Sequence, residues 1–579
     1  TAIRSGDTNP PIFRMLLREW MRLVGPSPFA IRLLSVLIGV VTVAMLYRLG
    51  AYMFGRRAAR IAGLLAAASP PLIYYSQEAK GYALVILAVS LSVWIWLKLH
   101  RPFLSPTRSS GPTRSYSSLV AWPLFTLATM LAVGSHLFAS LFVLVENLWS
   151  LLITWRIFPR VPLGKIVVHW MAWIGSQLIA VAFLLVYVSK SAATLLGVVD
   201  TPLFGISLLT RLTSGDLARW GATTEVNYDE PFRRLLEFLW GFGEEIIGSP
   251  DTTQGLAALA LLTLAPATFL GARHLGKNNH GIIWILWIIL PVILSGVFVL
   301  KFSYFYPRFL LFVLPAILLL AAAGTSWLLR RKRTAAFLLA LPLLVGWGAT
   351  LRIHYANLGD PDEDWRALIT TFAQYQKTGD LAIHSYDWIA GYLHSYLGPG
   401  MEPDYFYHVK GKKAALEAAV HNHGRIWFLD YRASPFDTGN QAGAIMRARS
   451  AVAYTRGFGN ANLTLFSLPS LVLNPFDIDD ANSVQFEGGV GLQWIPVDAE
   501  LSPGDVLTVE LVWQALEAPL PQYQAFLHVM DADGILVIGR DSGPVNDLRP
   551  THSWDLGERV PSLHAVLLPT DLAAGHYQV

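Results

Sequence analysis

The chain has 579 residues, of which 53% are hydrophobic and only 15% are charged, and its mean hydropathy is +0.43. A soluble protein usually has about a quarter of its residues charged, so this composition excludes a mainly soluble chain and indicates an integral membrane protein. The absence of cysteine excludes disulfides, thiolate metal sites and cysteine nucleophiles. The net charge of +4 is small, and no basic run alternates with aromatic residues, so a nucleic-acid partner is not expected.

Ten stretches are apolar over about the length that a helix needs to cross a bilayer, which is roughly 20 residues. They lie near residues 30–50, 58–75, 82–98, 119–134, 137–155, 166–188, 255–272, 281–300, 309–329 and 334–352. Every second loop between them is rich in Lys and Arg, and the positive-inside rule places those loops in the cytoplasm. The N-terminal segment, the loop at 189–254 and everything after residue 353 are therefore expected outside, in a multi-pass protein of the plasma membrane.

The sequence is expected to be a fragment that is open at both ends. Residue 1 is Thr, no signal peptide follows it, and residues 574–579 have the pattern of a turn that enters a strand. Because the predicted spans are even in number and start outside, we expect an odd number of helices upstream.

Residues 10–24 have an amphipathic pattern. Arg14, Arg18 and Arg22 recur at four-residue spacing, and apolar side chains occupy the other face. This pattern predicts a helix that lies in the plane of the membrane interface. Two roles remain open for it, a simple surface anchor or one wall of a catalytic groove.

After Tyr355 the hydropathy falls to values typical of soluble domains. A helix is predicted from Asp364, and buried strands are predicted at 380–383 and 425–429. Beyond a Pro-flanked linker, the period-two alternation at 506–513 and a hairpin turn at 531–534 indicate an antiparallel β-sandwich. Such a sandwich could bind carbohydrate, although a fold does not fix a function.

The predicted fold class is a polytopic all-α membrane domain, followed by a small exterior α/β domain and a truncated C-terminal antiparallel β-sandwich. The expected boundaries are 1–28 for the outer loop and interfacial helix, 29–353 for the membrane domain, 354–469 for the α/β domain and 470–579 for the sandwich.

Two short outer loops near the N-terminus carry polar residues that are candidates for chemistry. Asp7 and Asn9 precede two prolines that hold the backbone extended, although a simple helix entry has the same pattern. Glu78 and Lys80 lie two residues apart beside Tyr82, at a depth where charges are costly and usually functional. An exposed ion pair in the loop would also fit Glu78 and Lys80.

A third outer loop places Tyr306 and Arg308 at the mouth of a span, where they either anchor the interface or bind substrate. His136 either is a satisfied polar residue or faces the same cavity. Glu146 and Asn147 lie inside a span, where we expect hydrogen bonds between helices. The outer loops together favour a site in which carboxylates deprotonate an acceptor or hold a metal, and cations stabilise a phosphate leaving group.

Five sequence blocks occur in a fixed order along residues 5–330. They are Asp7-Thr8-Asn9-Pro10-Pro11, Leu23-Val24-Gly25-Pro26-Ser27, Phe54-Gly55-Arg56-Arg57, Tyr75-Ser76-Gln77-Glu78-Ala79-Lys80-Gly81-Tyr82 and Tyr306-Pro307-Arg308-Phe309-Leu310. In this order they resemble the bacterial membrane glycosyltransferases of the GT-C fold, family 39, which include protein mannosyltransferase and aminoarabinose transferase relatives.

The resemblance implies an inverting transfer of a sugar from a polyprenyl-phosphate donor to a glycan, lipid or protein acceptor at the outer membrane face. Asp7 and Glu78 would be the active-site carboxylates, and a divalent metal ion remains open as a cofactor. The expected substrate-binding residues are Asn9, Lys80, Tyr82, His136, Tyr306 and Arg308.

The sequence departs from the family pattern at three points. Asn9 stands where relatives commonly have His, and Lys80 where they commonly have Arg. The acidic residue that relatives carry in their first outer loop, and that would be their catalytic base, lies in a stretch that this sequence does not contain. We therefore expect the fragment to be inactive alone.

Two other classes of function fit parts of the sequence. A transporter or flippase of lipid-linked sugars would need internal repeats and polar groups near the bilayer midplane. The spans contain only Glu146, Asn147, His169 and Gln177 as such groups, with no twofold repeat. A glycan-binding surface protein would not need ten spans as its anchor. The sequence therefore favours the glycosyltransferase.

Overall fold

The structure is a computed structural model, and the chain divides in it into two compact units, residues 1–356 and 357–579. It describes residues 10–104, 116–157, 163–195, 231–248, 253–276, 281–301, 306–356, 364–384, 386, 389–397, 404–407, 413–431, 440–468, 483–494 and 500–579.

The described part of the first unit consists of helices and the short segments that join them. Its α-helices are α1 (Pro11–Val24), α2 (Pro28–Phe54), α3 (Arg56–Ala68), α4 (Pro70–Gln77), α5 (Tyr82–Leu104), α6 (Tyr116–Ser135), α7 (Ser140–Ile157), α8 (Leu163–Leu195), α9 (Pro231–Gly243), α10 (Gln254–Gly276), α11 (Gly281–Lys301), α12 (Leu314–Arg331) and α13 (Arg333–Ala356). Short helical turns of other types occupy Leu137–Ala139, Glu244–Gly248 and Pro307–Val313, and the second of these is a π-helix.

Seven of the described helical segments are long and apolar enough to cross a membrane, and α6 and α11 contain shorter apolar segments. These nine correspond to nine of the ten predicted spans. The remaining stretch, 58–75, is divided into α3 and α4 at Ser69, because Pro70 and Pro71 lack the N–H groups that a continuous helix needs. The length and composition of the helices indicate a multi-pass membrane protein.

Local sequence determines where the first helices begin. The helix predicted at 10–24 is present as α1, which buries Phe13 and exposes an ion-paired cluster of Arg18, Glu19 and Arg22. The Oγ of Ser27 accepts the N–H of Ala30 at 3.2 Å and so caps α2.

The helical segment Pro307–Arg331 forms the centre of the first unit. In an apolar stretch of 18 residues within this segment, 89% of the residues are buried. The corresponding share is 28% in Pro28–Phe54 and in Arg333–Ala356. Residues 307–331 therefore lie inside the helical bundle, and α2 and α13 lie at its periphery.

Two glycines allow α10 and α12 to approach each other closely. A Cβ added at Gly324 would overlap the carbonyl oxygen of Ala267, and one added at Gly271 would overlap that of Leu320. Small residues at such crossings let helices pack in lipid, where no hydrophobic effect drives their association.

Polar side chains inside the helices are paired across helix boundaries. The Nδ2 of Asn147 donates to Oε1 of Gln177 at 3.1 Å, and Nε1 of Trp173 donates to Oδ1 of Asn147 at 2.9 Å. The hydroxyl of Ser92 donates to Glu146. The hydrogen bonds between helices that were predicted for Glu146 and Asn147 are confirmed.

The second unit begins with alternating helices and strands. They are α14 (Trp365–Tyr375), β1 (Leu381–His384), α15 (Ile389–Tyr396), β2 (Asp404–Tyr407), α16 (Lys413–His421), β3 (Arg425–Tyr431), α17 (Gln441–Arg449), β4 (Ala451–Phe458) and β5 (Ala461–Ser467). The strands form a mixed sheet in the order β2-β1-β3-β5-β4, in which β1 runs parallel to β2 and β3. The strands predicted at 380–383 and 425–429 are β1 and β3.

The second unit ends in antiparallel strands that enclose an apolar core. They are β6 (Ser483–Phe486), β7 (Val490–Trp494), β8 (Val506–Ala515), β9 (Ala525–Met530), β10 (Leu536–Ser542) and β11 (Arg559–Leu567). One sheet has the order β11-β8-β7-β6, and the hairpin of β9 and β10 packs over the same core, which includes Trp513 and Leu527. The predicted fold class, a helical membrane domain followed by an α/β region and antiparallel β-sheets, is confirmed, and the exterior position of the second unit stays a prediction.

We expect Gly324→Val to destabilise the helical unit by about 3 kcal/mol, because the added side chain would overlap α10. Gly348→Val is the matched control, since an added Cβ there meets no atom within 4 Å. Thermal unfolding in detergent should show a lower melting temperature for the Gly324 variant alone. Equal melting temperatures for both variants would contradict the close crossing.

The burial of His564 predicts that the stability of the β-sandwich depends on pH. Burial, with the charge of Arg540 adding to it, lowers the pKa of His564 from 6.5 to about 4, and Ser542 and Ser562 hydrogen-bond its two ring nitrogens. The unfolded chain binds a proton at His564 more readily than the folded protein does. The free energy of unfolding is therefore highest above pH 6.5 and falls by about 3 kcal/mol as the pH approaches 4. Hydrogen exchange of β8 and β11 at about pH 7.5 and about pH 5 should show about 2 kcal/mol of this loss. His564→Gln should remove it, whereas the same change at exposed His552 should not.

Candidate active site

Glu78 lies immediately after α4, with one carboxylate oxygen paired and the other free of described partners. Its Oε1 is 3.3 Å from Nζ of Lys80, and its Oε2 is buried without a hydrogen-bond partner among the described residues. The side chain of Lys80 is 58% exposed and that of Glu78 is 23% exposed. Lys80 thus balances the charge of Glu78 from the solvent side and leaves Oε2 directed into the protein.

A series of ring contacts joins the loops that carry the predicted site residues. The ring centroids of Tyr75 and Tyr82 are 4.9 Å apart, those of Tyr82 and His136 are 5.7 Å apart, and those of His136 and Phe309 are 4.9 Å apart. Gly81 permits this arrangement, since a Cβ there would lie 2.6 Å from the carbonyl oxygen of Ser135. Three chain segments that are distant in sequence therefore meet at one point.

Arg308 enters the same region from the segment that precedes α12. Its backbone N–H donates to Oε2 of Glu245 at 2.6 Å, and its guanidinium lies 4.4 Å from the ring centroid of Tyr306. Its Nε is buried without a hydrogen-bond partner among the described residues. Arg308 is therefore held by its backbone and by a ring, and Nε remains available as a donor.

Sequence reasoning missed Glu245, because it falls within the stretch 189–254 that was interpreted as an outer loop. In the described part of that stretch after residue 230, the structure has the amphipathic helix α9, followed directly by the π-helical turn Glu244–Gly248. The sequence did contain a signal for this site, because two adjacent glutamates, Glu244 and Glu245, follow an amphipathic segment that contains Trp240. π-Helical turns occur frequently at functional sites.

Burial determines the protonation of the groups that surround this point. It raises the pKa of Tyr75 well above its ordinary value, with the charge of Glu245 adding to the rise. Burial, together with the charge of Arg308, lowers the pKa of His136 to about 4. Burial also raises the pKa of Glu245, against an opposing effect of Arg308. Tyr75 and His136 are therefore both neutral at physiological pH.

Four buried polar atoms around this point lack a hydrogen-bond partner within the described part of the chain. They are the hydroxyl of Tyr75, Oε2 of Glu78, Nδ1 of His136 and Nε of Arg308. An unpaired buried polar group costs roughly 1–3 kcal/mol, and its presence in a folded protein needs an explanation. A ligand that carries both negative charge and hydroxyl groups would supply partners for all four.

The described residues do not by themselves fit a divalent metal ion. No group of three His, Asp or Glu side chains that could hold one occurs within the described ranges. Of the described carboxylates, Glu78 and Glu245 lie near the site, and Lys80 and Arg308 contact one each.

Most of the residues predicted from the sequence lie around this one point. They are Glu78, Lys80, Tyr82, His136, Tyr306 and Arg308. Asp7 and Asn9 lie outside the described residues. Lys80 forms an ion pair with Glu78, as one of the two interpretations of that loop expected. The roles of all these residues stay predictions.

The comparison with protein families confirms the resemblance over part of the chain. Residues 8–130 match the model of the dolichyl-phosphate-mannose-protein mannosyltransferase family. This range contains Glu78, Lys80 and Tyr82, whereas Arg308 and Glu245 lie beyond it. No curated protein matches the chain.

The chain is also similar to solved structures of membrane glycosyltransferases. ArnT from Cupriavidus metallidurans in the apo state is 12% identical at a TM-score of 0.48, with 79% of this chain and 87% of that chain covered. The same protein bound to undecaprenyl phosphate gives a TM-score of 0.44 at 12% identity and the same coverage. The oligosaccharyltransferase AglB from Archaeoglobus fulgidus, in complex with an inhibitory peptide and a dolichol-phosphate, is 13% identical at a TM-score of 0.43, with 82% and 67% covered.

We expect Tyr75→Phe to leave the stability of the free protein unchanged or to raise it by roughly 1 kcal/mol, because the hydroxyl that it removes has no described partner. Trp347→Phe is the contrasting variant, since it removes a 2.9 Å hydrogen bond from Nε1 to the carbonyl oxygen of Ile247 and should lower the melting temperature. A clear loss of stability in Tyr75→Phe would show that its hydroxyl is already bonded in the free protein.

Proposed function

We propose that the protein is a membrane glycosyltransferase that moves a sugar, with inversion, from a polyprenyl-phosphate donor to an acceptor at the outer face of the membrane. The observation that carries the proposal is the group of four unpaired buried polar atoms at one end of the apolar helices, beside a cation and two carboxylates. The family match supports it, because it spans the loop of Glu78.

The two cations have different tasks in the proposed reaction. Arg308 donates through its free Nε to a phosphate oxygen, and a guanidinium is suited to that task because it stays charged and donates along fixed directions. Lys80 lies on the exposed side of Glu78 and adds a second positive charge. Charge develops on the phosphate as the bond between the sugar and its oxygen breaks, and preorganised cations stabilise that charge.

Glu78 and Asp7 are proposed to belong to the set of active-site carboxylates that accepts the proton of the acceptor, together with the first-loop acidic residue that the resemblance implies. The acceptor oxygen attacks the anomeric carbon from the face opposite the phosphate, and the phosphate oxygen leaves with the electron pair of the broken bond. The acceptor proton passes to the carboxylate, for which Oε2 of Glu78 is unoccupied by described partners. Tyr75 and neutral His136 can hydrogen-bond to sugar hydroxyls.

The test is incubation of the natural full-length protein, in lipid nanodiscs, with a panel of polyprenyl-phosphate sugars. Release of the free polyprenyl phosphate, together with sugar on an added acceptor, is the expected result. Translocation of the intact donor without release would instead identify a transporter or flippase.

Two variants connect this activity to the site. Arg308→Gln should lower turnover about 100-fold, because a preorganised charge on the leaving group is lost. Arg330→Gln is the matched control, since Arg330 lies at the C-terminal end of α12 and Arg308 lies in the turn before its N-terminal end. Glu78→Gln should lower turnover to a similar degree. Unchanged rates in both site variants, with folding intact, would refute the assignment.

A further inference from the structure

Two adjacent glutamates in the π-helical turn have different partners. The Oε1 of Glu244 accepts Nε1 of Trp240 at 2.9 Å on the exposed side. The Oε2 of Glu245 accepts the backbone N–H of Arg308 at 2.6 Å on the buried side. Two consecutive residues therefore place one glutamate on the surface and the other at the candidate active site.

The carboxylate of Glu245 lies beside Arg308 without occupying the free Nε of its guanidinium. The charge of Glu245 acts on Arg308 and on Tyr75, and the charge of Glu78 acts on the same two groups. Glu245, from the π-helical turn, is bonded to the backbone of Arg308, and Glu78, from the loop after α4, is near enough for its charge to act on the same cation. This arrangement reduces the net positive charge that a bound phosphate would meet.

The proposed reaction changes the charge of the bound lipid. A sugar joined through phosphate to a polyprenol is a phosphodiester with a single negative charge. After transfer, the lipid product is a phosphate monoester that carries about −1.5 to −2 at neutral pH. A site with only cations would hold this product more tightly than the donor and would slow its release.

We propose that Glu245 is a positioning residue that fixes Arg308 through its backbone and whose negative charge weakens binding of the monoester product relative to the diester donor. This inference rests on the proposed function. The repulsion acts mainly on the second negative charge, since the first is offset by Arg308. Glu245 thereby favours release of the monoester product and binding of the next donor. Its replacement should change both the affinity for the product and the turnover rate.

Glu245→Gln separates the charge from the hydrogen bond, because an amide oxygen can still accept the N–H of Arg308. Dissociation constants are measured for undecaprenyl phosphate and for its methyl diester, with the full-length protein in nanodiscs. We expect Glu245→Gln to bind the monoester roughly tenfold more tightly, to bind the diester with little change, and to turn over more slowly. Glu244→Gln should match the wild type.

A second variant separates the charge from a purely structural role. Glu245→Asp keeps the charge but shortens the side chain, so it should keep the wild-type ratio of monoester to diester affinity. A structural role alone would give the reverse result, with the wild-type ratio in Glu245→Gln, and would overturn the inference. If the wild type binds neither lipid, the proposed function itself fails.

Discussion

The cost of burying polar groups away from water governs both the helical unit and its candidate site. In a membrane a side-chain donor or acceptor cannot turn to solvent, so it must find a partner within the protein. Asn147 and Trp173 satisfy this requirement across helix boundaries, and Oε1 of Gln177 accepts a hydrogen bond from Asn147. Buried polar atoms without a described partner also occur elsewhere in the helical unit, as on Glu146 and Gln177, and four of them lie around the point where the segments of Glu78, His136 and Arg308 meet.

Features that depend on local pattern could be predicted from the sequence. The amphipathic spacing of residues 10–24 predicted α1, and period-two alternation predicted β8, since each helix or strand is determined by which of its faces is apolar. Glu78 and Arg308 could be chosen because a charge next to an apolar span is costly and therefore rarely accidental. The family resemblance supplied their proposed roles.

The remaining features depend on contacts between residues that are far apart in the chain. Glu245 could not be paired with Arg308 from the sequence, because 63 positions separate them and the hydrophobic pattern does not reveal a π-helical turn. The division of 58–75 into α3 and α4 follows from the proline pair, whose effect on a span depends on whether packed neighbours satisfy the freed carbonyl groups.

The close crossing of Gly271 and Gly324 fixes more than the packing of two helices. It prevents α12 from sliding along α10, and Arg308 lies on the same continuous helical segment, about 25 Å from the crossing along its axis. The guanidinium is consequently held at a set height relative to the middle of the bundle. If the donor is the polyprenyl phosphate proposed above, such a site selects it by the height of its phosphate above the bilayer midplane and not by the length of its lipid tail.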